Sequence, residues 1–307
     1  MTFNPDAEIQ SGNTRSAGGG GGMLPRGGGG GRIALGGGGG CLLLVIVIVF
    51  ALMGGNPMDL LGGGSTQTEA ASSGEGGALE QCSTGEDANT DDKCLVQGVV
   101  ESADSLWAQL GPDSGIEFRE PQAVVFSDQV QTGCGAATSD VGPFYCPADQ
   151  TIYVDDSFFG DLQSRFGADG GQFAKMYVVA HEYGHHIQNL SGTMSKVDHQ
   201  ETGPQSGGVR LELQADCYAG VWANHASTTT DDNGVTMLQP LTDQDIQSAL
   251  SAASAVGDDH IQGDVSGGQV QPETWTHGSS EQRQNWFMTG YQEGTVEACD
   301  TFGAESV

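Results

Sequence analysis

The chain has 307 residues, with 40 Asp and Glu against 10 Lys and Arg, a formal net charge of −30. So acidic a surface repels phosphate backbones, whose binding needs clustered Lys and Arg, and no nucleic acid is expected as a partner. Its 50 glycines crowd the start, with runs of five at 18–22, 27–31 and 36–40 that can build no packed core.

In chain order, residues 1–32 read as a glycine-rich tail with no part in a domain. From Cys41 to Met53 the sequence is CLLLVIVIVFALM, and the uncharged stretch runs from Ile33 to Pro57. A spanning helix needs about 20 largely apolar residues, and glycine is tolerated in one, so 33–57 reads as a transmembrane anchor. The exit Gly54-Gly55-Asn56-Pro57 is unlike the A-x-A site of a cleaved signal peptide. Arg15, Arg26 and Arg32 all precede the apolar run. The positive-inside rule then makes the tail cytoplasmic and the bulk of the chain extracytoplasmic, in a single-pass cell membrane protein.

Residues 58–93, rich in Gly, Ser, Thr, Glu and Asp, read as a flexible acidic stalk, with one ordered domain over 94–307. Val96, Val99, Val100, Ala103, Trp107 and Leu110 recur at helical spacing, closed by Gly111 and Pro112. Ala123 to Phe126 and Thr151 to Val154 are β-prone runs, with the Gly- and Pro-containing segment between Gly133 and Pro147 as their connection. Helices follow at about Ser157 to Phe166, Gln172 to Leu190, Val209 to His225 and Asp243 to Val256. A last one starts near Ser279, where Ser279 with Gln282 fits a capping box. Strands first and helices after them indicate an α+β domain, a small sheet with several helices.

Outside the apolar run the cysteines are Cys82, Cys94, Cys134, Cys146, Cys217 and Cys299, an even number suited to disulfides in an oxidising compartment. The absence of any C-x-x-C argues against metal ligation by them. Short loops close at least entropic cost, which pairs Cys82 with Cys94 and Cys134 with Cys146 and leaves Cys217 for Cys299.

The chemistry is concentrated in His181-Glu182-Tyr183-Gly184-His185-His186. On a helix His181 and His185 project from one face, where two imidazoles can reach one zinc ion, and Glu182 stands beside them as a candidate general base. A catalytic zinc needs a third protein ligand. Gln188 and Ser191 occupy the places where the three-histidine class would have Gly and His, so that class is excluded. Glu212, in Glu212-Leu213-Gln214-Ala215-Asp216, is the best candidate; a solvated acidic face is the bland alternative, and His199, His225 and His260 lack a comparably spaced partner. If Glu212 binds zinc, Asp216, four residues on, can accept a hydrogen bond from the outer nitrogen of His181. His186 points away from the His181 face and reads as a packing residue.

These two motifs, with Ala219-Gly220-Val221-Trp222, Gly133-Cys134-Gly135, Gly142-Pro143-Phe144-Tyr145-Cys146-Pro147 and Thr276-His277-Gly278-Ser279, resemble the neutral zinc metallopeptidases of the YpfJ type. The resemblance covers about Val96 to Phe302. It implies a zincin-like, membrane-anchored endopeptidase with Zn2+ on His181, His185 and Glu212, Glu182 as base, and a peptide or protein substrate cut by a metal-activated water. His277 is a further candidate, as donor to the tetrahedral oxyanion. The strand Thr151 to Val154, preceding the active helix, is expected to be the edge that pairs with extended substrate. The rival reading is a non-enzymatic, anchored surface scaffold or adhesion protein with a structural zinc.

Overall fold

The computed structural model describes residues 2–10, 12–17, 77–198 and 200–307. The anchor expected at 33–57 lies outside the described residues, as do the rest of the tail after Ala17 and the stalk before Gly77. Among the described residues no helix is long and apolar enough to cross a membrane.

The elements, in chain order, are β1 (Thr14–Ala17), α1 (Gly85–Thr90), α2 (Asp92–Asp113), β2 (Gln122–Phe126), β3 (Gln129–Thr132), β4 (Gly135–Thr138), β5 (Phe144–Cys146) and β6 (Thr151–Asp155). Then come α3 (Phe158–Ser164), α4 (Gln172–Leu190), α5 (Gly207–His225), α6 (Asp243–Ala255), the single turn α7 (Asp258–His260) and α8 (Ser280–Glu293). This is a mixed α+β architecture. Among the described residues a four-stranded sheet has the order β1-β2-β6-β5, with β3 and β4 forming a separate hairpin. β1, β2 and β6 are parallel, Ala123 facing Ile152 and Val125 facing Val154, whereas β5 runs antiparallel to β6.

Both faces of the two central strands are covered, which is why they read as short apolar runs rather than as a clean alternation. Ala123, Val125, Ile152 and Val154 point into the main core with α2 and α4. Val124, Phe126 and Tyr153 point the other way, into a smaller core with Phe144, Val130 and Ala137 of the hairpin. α4 is buried almost all round, as expected of a central helix. Its neighbours start at side-chain caps: Ser206 accepts from Val209 N ahead of α5, and capping boxes Thr242/Asp245 and Ser279/Gln282 open α6 and α8.

Glycines let these helices touch. A Cβ on Gly184 of α4 would lie 2.9 Å from the Ala215 carbonyl oxygen of α5, and one on Gly290 of α8 would lie 1.9 Å from that of Cys217. The disulfides are Cys82–Cys94, Cys134–Cys146 and Cys217–Cys299, the pairs expected from loop length. The last ties α5 to the chain's end.

Four expectations need correction. First, residues 2–10 and 12–17 are not a tail outside the domain. Phe3, Ala7 and Ile9 are buried against α2 and the segment near Met237, and β1 extends the sheet beside β2. Second, the acidic stretch from Gly77 to Lys93 is not stalk. Leu79 and Ala88 are in the core, and the acids serve as caps, Asp87 for α1 and Asp91 for α2. Third, α2 begins earlier, behind the cap at Asp91, and runs on through Gly111 and Pro112 to Asp113. Fourth, Thr151 to Val154 is no edge: β6 is paired on both sides, and among the described residues the edge strand beside the cleft is β5, in the segment expected to be a connection.

Candidate metal centre and cleft

α4 and α5 cross so that His181 and His185 face Glu212. His181 Nε2 lies 3.3 Å from Glu212 Oε2, and His185 Nε2 lies 3.6 Å from Glu212 Oε1. The donor atoms all fall within 4.8 Å of one another, and among the described residues this is the sole cluster of His, Cys, Asp and Glu so placed. Ligands about 2.0–2.1 Å from a tetrahedral zinc stand roughly 3.4 Å apart, so this set of two imidazoles and one carboxylate fits that ion.

Each histidine is oriented from behind. His181 Nδ1 is 2.8 Å from Asp216 Oδ1, and His185 Nδ1 is 2.8 Å from Gln188 Oε1. Gln188 is itself held, its amide donating to the Leu211 carbonyl of α5. Asp216 is fully buried and carries several bonds at once. Arg283 of α8 donates to both its oxygens at 2.8 and 3.0 Å, and the Tyr177 hydroxyl donates at 2.5 Å. Burial would raise the Asp216 pKa, but Arg283 and His181 outweigh it and hold the carboxyl below its ordinary range. The same carboxylate overcomes the desolvation that would lower His181 and holds that imidazole up to about 9. Glu212 is likewise held well below the carboxylate range by the histidines despite its burial.

Glu182 is 8 % exposed and lines the cleft beside the histidines. Burial raises its carboxyl above the ordinary range, with His185 and His181 pulling the other way. His277 lines the same cleft, with Nδ1 2.9 Å from Thr276 Oγ1 and 3.4 Å from Asp258 Oδ1. Asp258 also accepts the backbone N–H groups of Thr276, His277 and Gly278, which fixes the loop ahead of α8. His186 stands apart: Tyr145 OH lies 3.0 Å from its Nδ1, its Nε2 is 2.6 Å from the Arg119 carbonyl, and burial pushes its pKa down to about 4. His225 and His260 lie against Gly294 and Phe166 carbonyls, away from the centre. His199 lies outside the described residues.

The cleft is a space of about 220 Å³. Phe144, Phe158, Phe166, Val178, Leu211 and Ile261 give it apolar walls, and residues 139–145, leading into edge strand β5, form one rim.

The supporting residues Tyr177, Gln188, Asp258 and Arg283 are not singled out by the sequence reading. Tyr177 and Gln188 had a local signal, four residues before His181 and three after His185 on the same helix. Arg283 and Asp258 had none.

The family model described as "Putative neutral zinc metallopeptidase" matches residues 6–302. The chain is 54% identical over 227 residues to "Uncharacterized protein Rv2575" of Mycobacterium tuberculosis, covering 74% of this chain and 76% of that one. It is 42% identical over 210 residues to "Uncharacterized protein YpfJ" of Escherichia coli, covering 67% of this chain and 69% of that one. No solved structure matches. With a match that spans nearly its whole length and a donor set suited to zinc, the chain belongs to this neutral zinc metallopeptidase family, whose cofactor is Zn2+.

Proposed function

We propose that the protein is a zinc-dependent endopeptidase in which His181, His185 and Glu212 hold the metal and Glu182 is the general base. Zinc bound there supplies Lewis acidity to the scissile carbonyl and raises the acidity of a water. Glu182 takes the proton of the attacking water and hands it to the leaving amine, a role suited to a carboxyl whose pKa is raised by burial. Asp216 keeps His181 in the tautomer that presents Nε2 to the metal, and Gln188 does the same for His185. With Nδ1 of His277 engaged by Thr276 and Asp258, its Nε2 is the atom that donates to the developing oxyanion.

Extended substrate pairs with β5, among the described residues the edge strand beside the cleft, and an apolar side chain enters the walls formed by Phe144, Phe158 and Ile261. The observation that carries the reading is Glu182, buried at the lip of a three-ligand centre. A structural zinc is closed by a fourth protein ligand and has no use for such a carboxylate. The test is zinc analysis of the purified chain with a peptide-library digest, before and after chelation and zinc restoration. Cleavage that survives complete removal of the metal refutes the proposal.

The compartment we propose is an oxidising one, on the strength of the disulfides. The packing of residues 2–10 and 12–17 on the domain needs both to lie on the same side of any membrane, and a single crossing at 33–57 with the N-terminus inside does not meet that need. Reporter fusions at the two ends of the chain test this, and reporters found in opposite compartments would refute the shared side.

A further inference from the structure

One side chain ties the short strand β5 to the helix that carries the zinc centre. Side chains alternate along β5. Phe144 and Cys146 enter the smaller core, where Phe144 stacks on Tyr153 and Cys146 is bonded to Cys134, while Tyr145 points the other way, into the main core with α4. The Tyr145 hydroxyl lies 3.0 Å from His186 Nδ1 and 2.9 Å from Asn189 Nδ2. Among the described residues no other side-chain hydrogen bond joins β5 to α4. The direction of each bond follows from its partners. His186 Nε2 is 2.6 Å from the Arg119 carbonyl, which can only accept, so Nε2 carries the hydrogen and the neutral ring offers Nδ1 as an acceptor. The Tyr145 hydroxyl therefore donates to His186 and accepts from Asn189. Tyr145 and His186 are both buried, and a fully matched buried chain of this kind holds one geometry.

The same turn of α4 serves the metal. Gln188 orients the candidate ligand His185, and the residue after each of these, His186 and Asn189, holds Tyr145. Consecutive residues of a helix point about 100° apart, so two faces of one turn address the zinc and the strand. Tyr145 also lines the cleft. We propose that Tyr145 is a positioning residue for hydrolysis: clamped by His186 and Asn189, it sets β5 at the distance from α4 at which the carbonyl of a strand-paired substrate meets the metal. The assignment rests on the reading that substrate pairs with β5, and it gives His186 a part in the reaction beyond packing. A strand of three residues has few main-chain bonds with which to fix that distance by itself. Misplacing a reacting group by about 1 Å can cost on the order of 100-fold in rate.

The experiment gives the zinc-loaded full chain two substrates: an extended library peptide that the parent cleaves, and the shortest blocked fragment around the same scissile bond that the parent still cleaves. The fragment pairs with less of β5, so the readout is the ratio of kcat/KM for peptide over fragment, which a general loss of fold or zinc leaves unmoved. In Tyr145→Phe that ratio is expected to fall roughly 10–100-fold, mostly through kcat, with zinc content as in the parent. His186→Leu should lower it alike. His186→Asn keeps an oxygen near the place of Nδ1, able to accept the Tyr145 hydroxyl, and should restore most of the ratio. An equal fall for both substrates, an unchanged ratio in Tyr145→Phe, or His186→Asn no better than His186→Leu would overturn the assignment while leaving the peptidase reading in place. A zinc-loaded parent that cleaves no peptide at all would overturn that reading and the assignment with it.

Discussion

Asp216, fully buried, and Asp104, partly buried, each stand one hydrogen bond from the same helix, α4, yet desolvation leaves them in opposite states. Asp216 meets Arg283, Tyr177 and His181, and its carboxyl is held ionised. Asp104 meets Tyr183 on one side and other carboxylates on the other, and burial pushes it up to about 8. Two histidines of α4 repeat the contrast. His181, backed by Asp216, is held up to about 9, while His186, backed by a tyrosine hydroxyl and a backbone carbonyl, is pushed down to about 4. Burial magnifies whatever partner a charge is given, so the side of α4 with a matched cation and anion is where a metal centre can be built.

The largest break in that contrast comes from removing the cation. Arg283→Met leaves Asp216 buried without its bidentate partner, and about 3–5 kcal/mol of stability should be lost. Zinc affinity should fall roughly 10–100-fold as His181 loses its orientation. Adding Asp216→Asn should restore part of the stability but not the affinity, which unfolding and zinc-competition measurements would separate.

A smaller effect tests His186. The native ring takes up its proton near pH 4, the unfolded one near 6.5, so between these values the unfolded state binds more protons. Stability is therefore full above pH 6.5 and declines as pH falls toward 4, by up to about 3 kcal/mol from this group. In His186→Gln the acid limb of the stability–pH curve should be flatter by that amount; an unchanged limb would show that His186 is not held neutral.

Opposite in sign is Asp104→Asn. The native carboxyl keeps its proton up to about pH 8 while the unfolded one loses it near 3.9, so its contribution is present at low pH and lost as pH rises through that window. The variant should therefore be more stable than the parent at pH 8 and equal to it near pH 4, the gain being this linkage contribution less whatever the Tyr183 contact loses. Destabilisation at pH 8 would mean the Tyr183 contact outweighs the repulsion.

What could be seen in the sequence follows the same division. α4 and α5 were legible as long periodic segments, and α8 from the capping box of Ser279 with Gln282, whereas the cap at Ser206 that starts α5 two residues before Val209 went unread. The donors His181, His185 and Glu212 and their neighbour Asp216 sit at four-residue spacings on two such helices, which brings them together once the helices pack. Arg283 could not be found, since it lies 67 residues from Asp216 on a helix whose approach depends on Gly290. β5 has three residues in a glycine- and proline-bearing stretch, too short for a periodic signal. β1 is the polar run Thr14-Arg15-Ser16-Ala17 and exists by pairing with β2, more than a hundred residues later in the chain. Phe3, Ala7 and Ile9, scattered among polar residues, gave no period from which their burial could be read.

The most direct measurement is hydrolysis of a casein or library peptide by zinc-replete Glu182→Gln beside the parent, with zinc content and unfolding temperature recorded on the same samples. The three ligands and their supports survive this change, so one zinc per chain and an unaltered Tm are expected, with hydrolysis lower by roughly 10²–10⁴-fold for want of the base. Hydrolysis at the parent rate in the zinc-replete variant would contradict the assignment of Glu182 as the base.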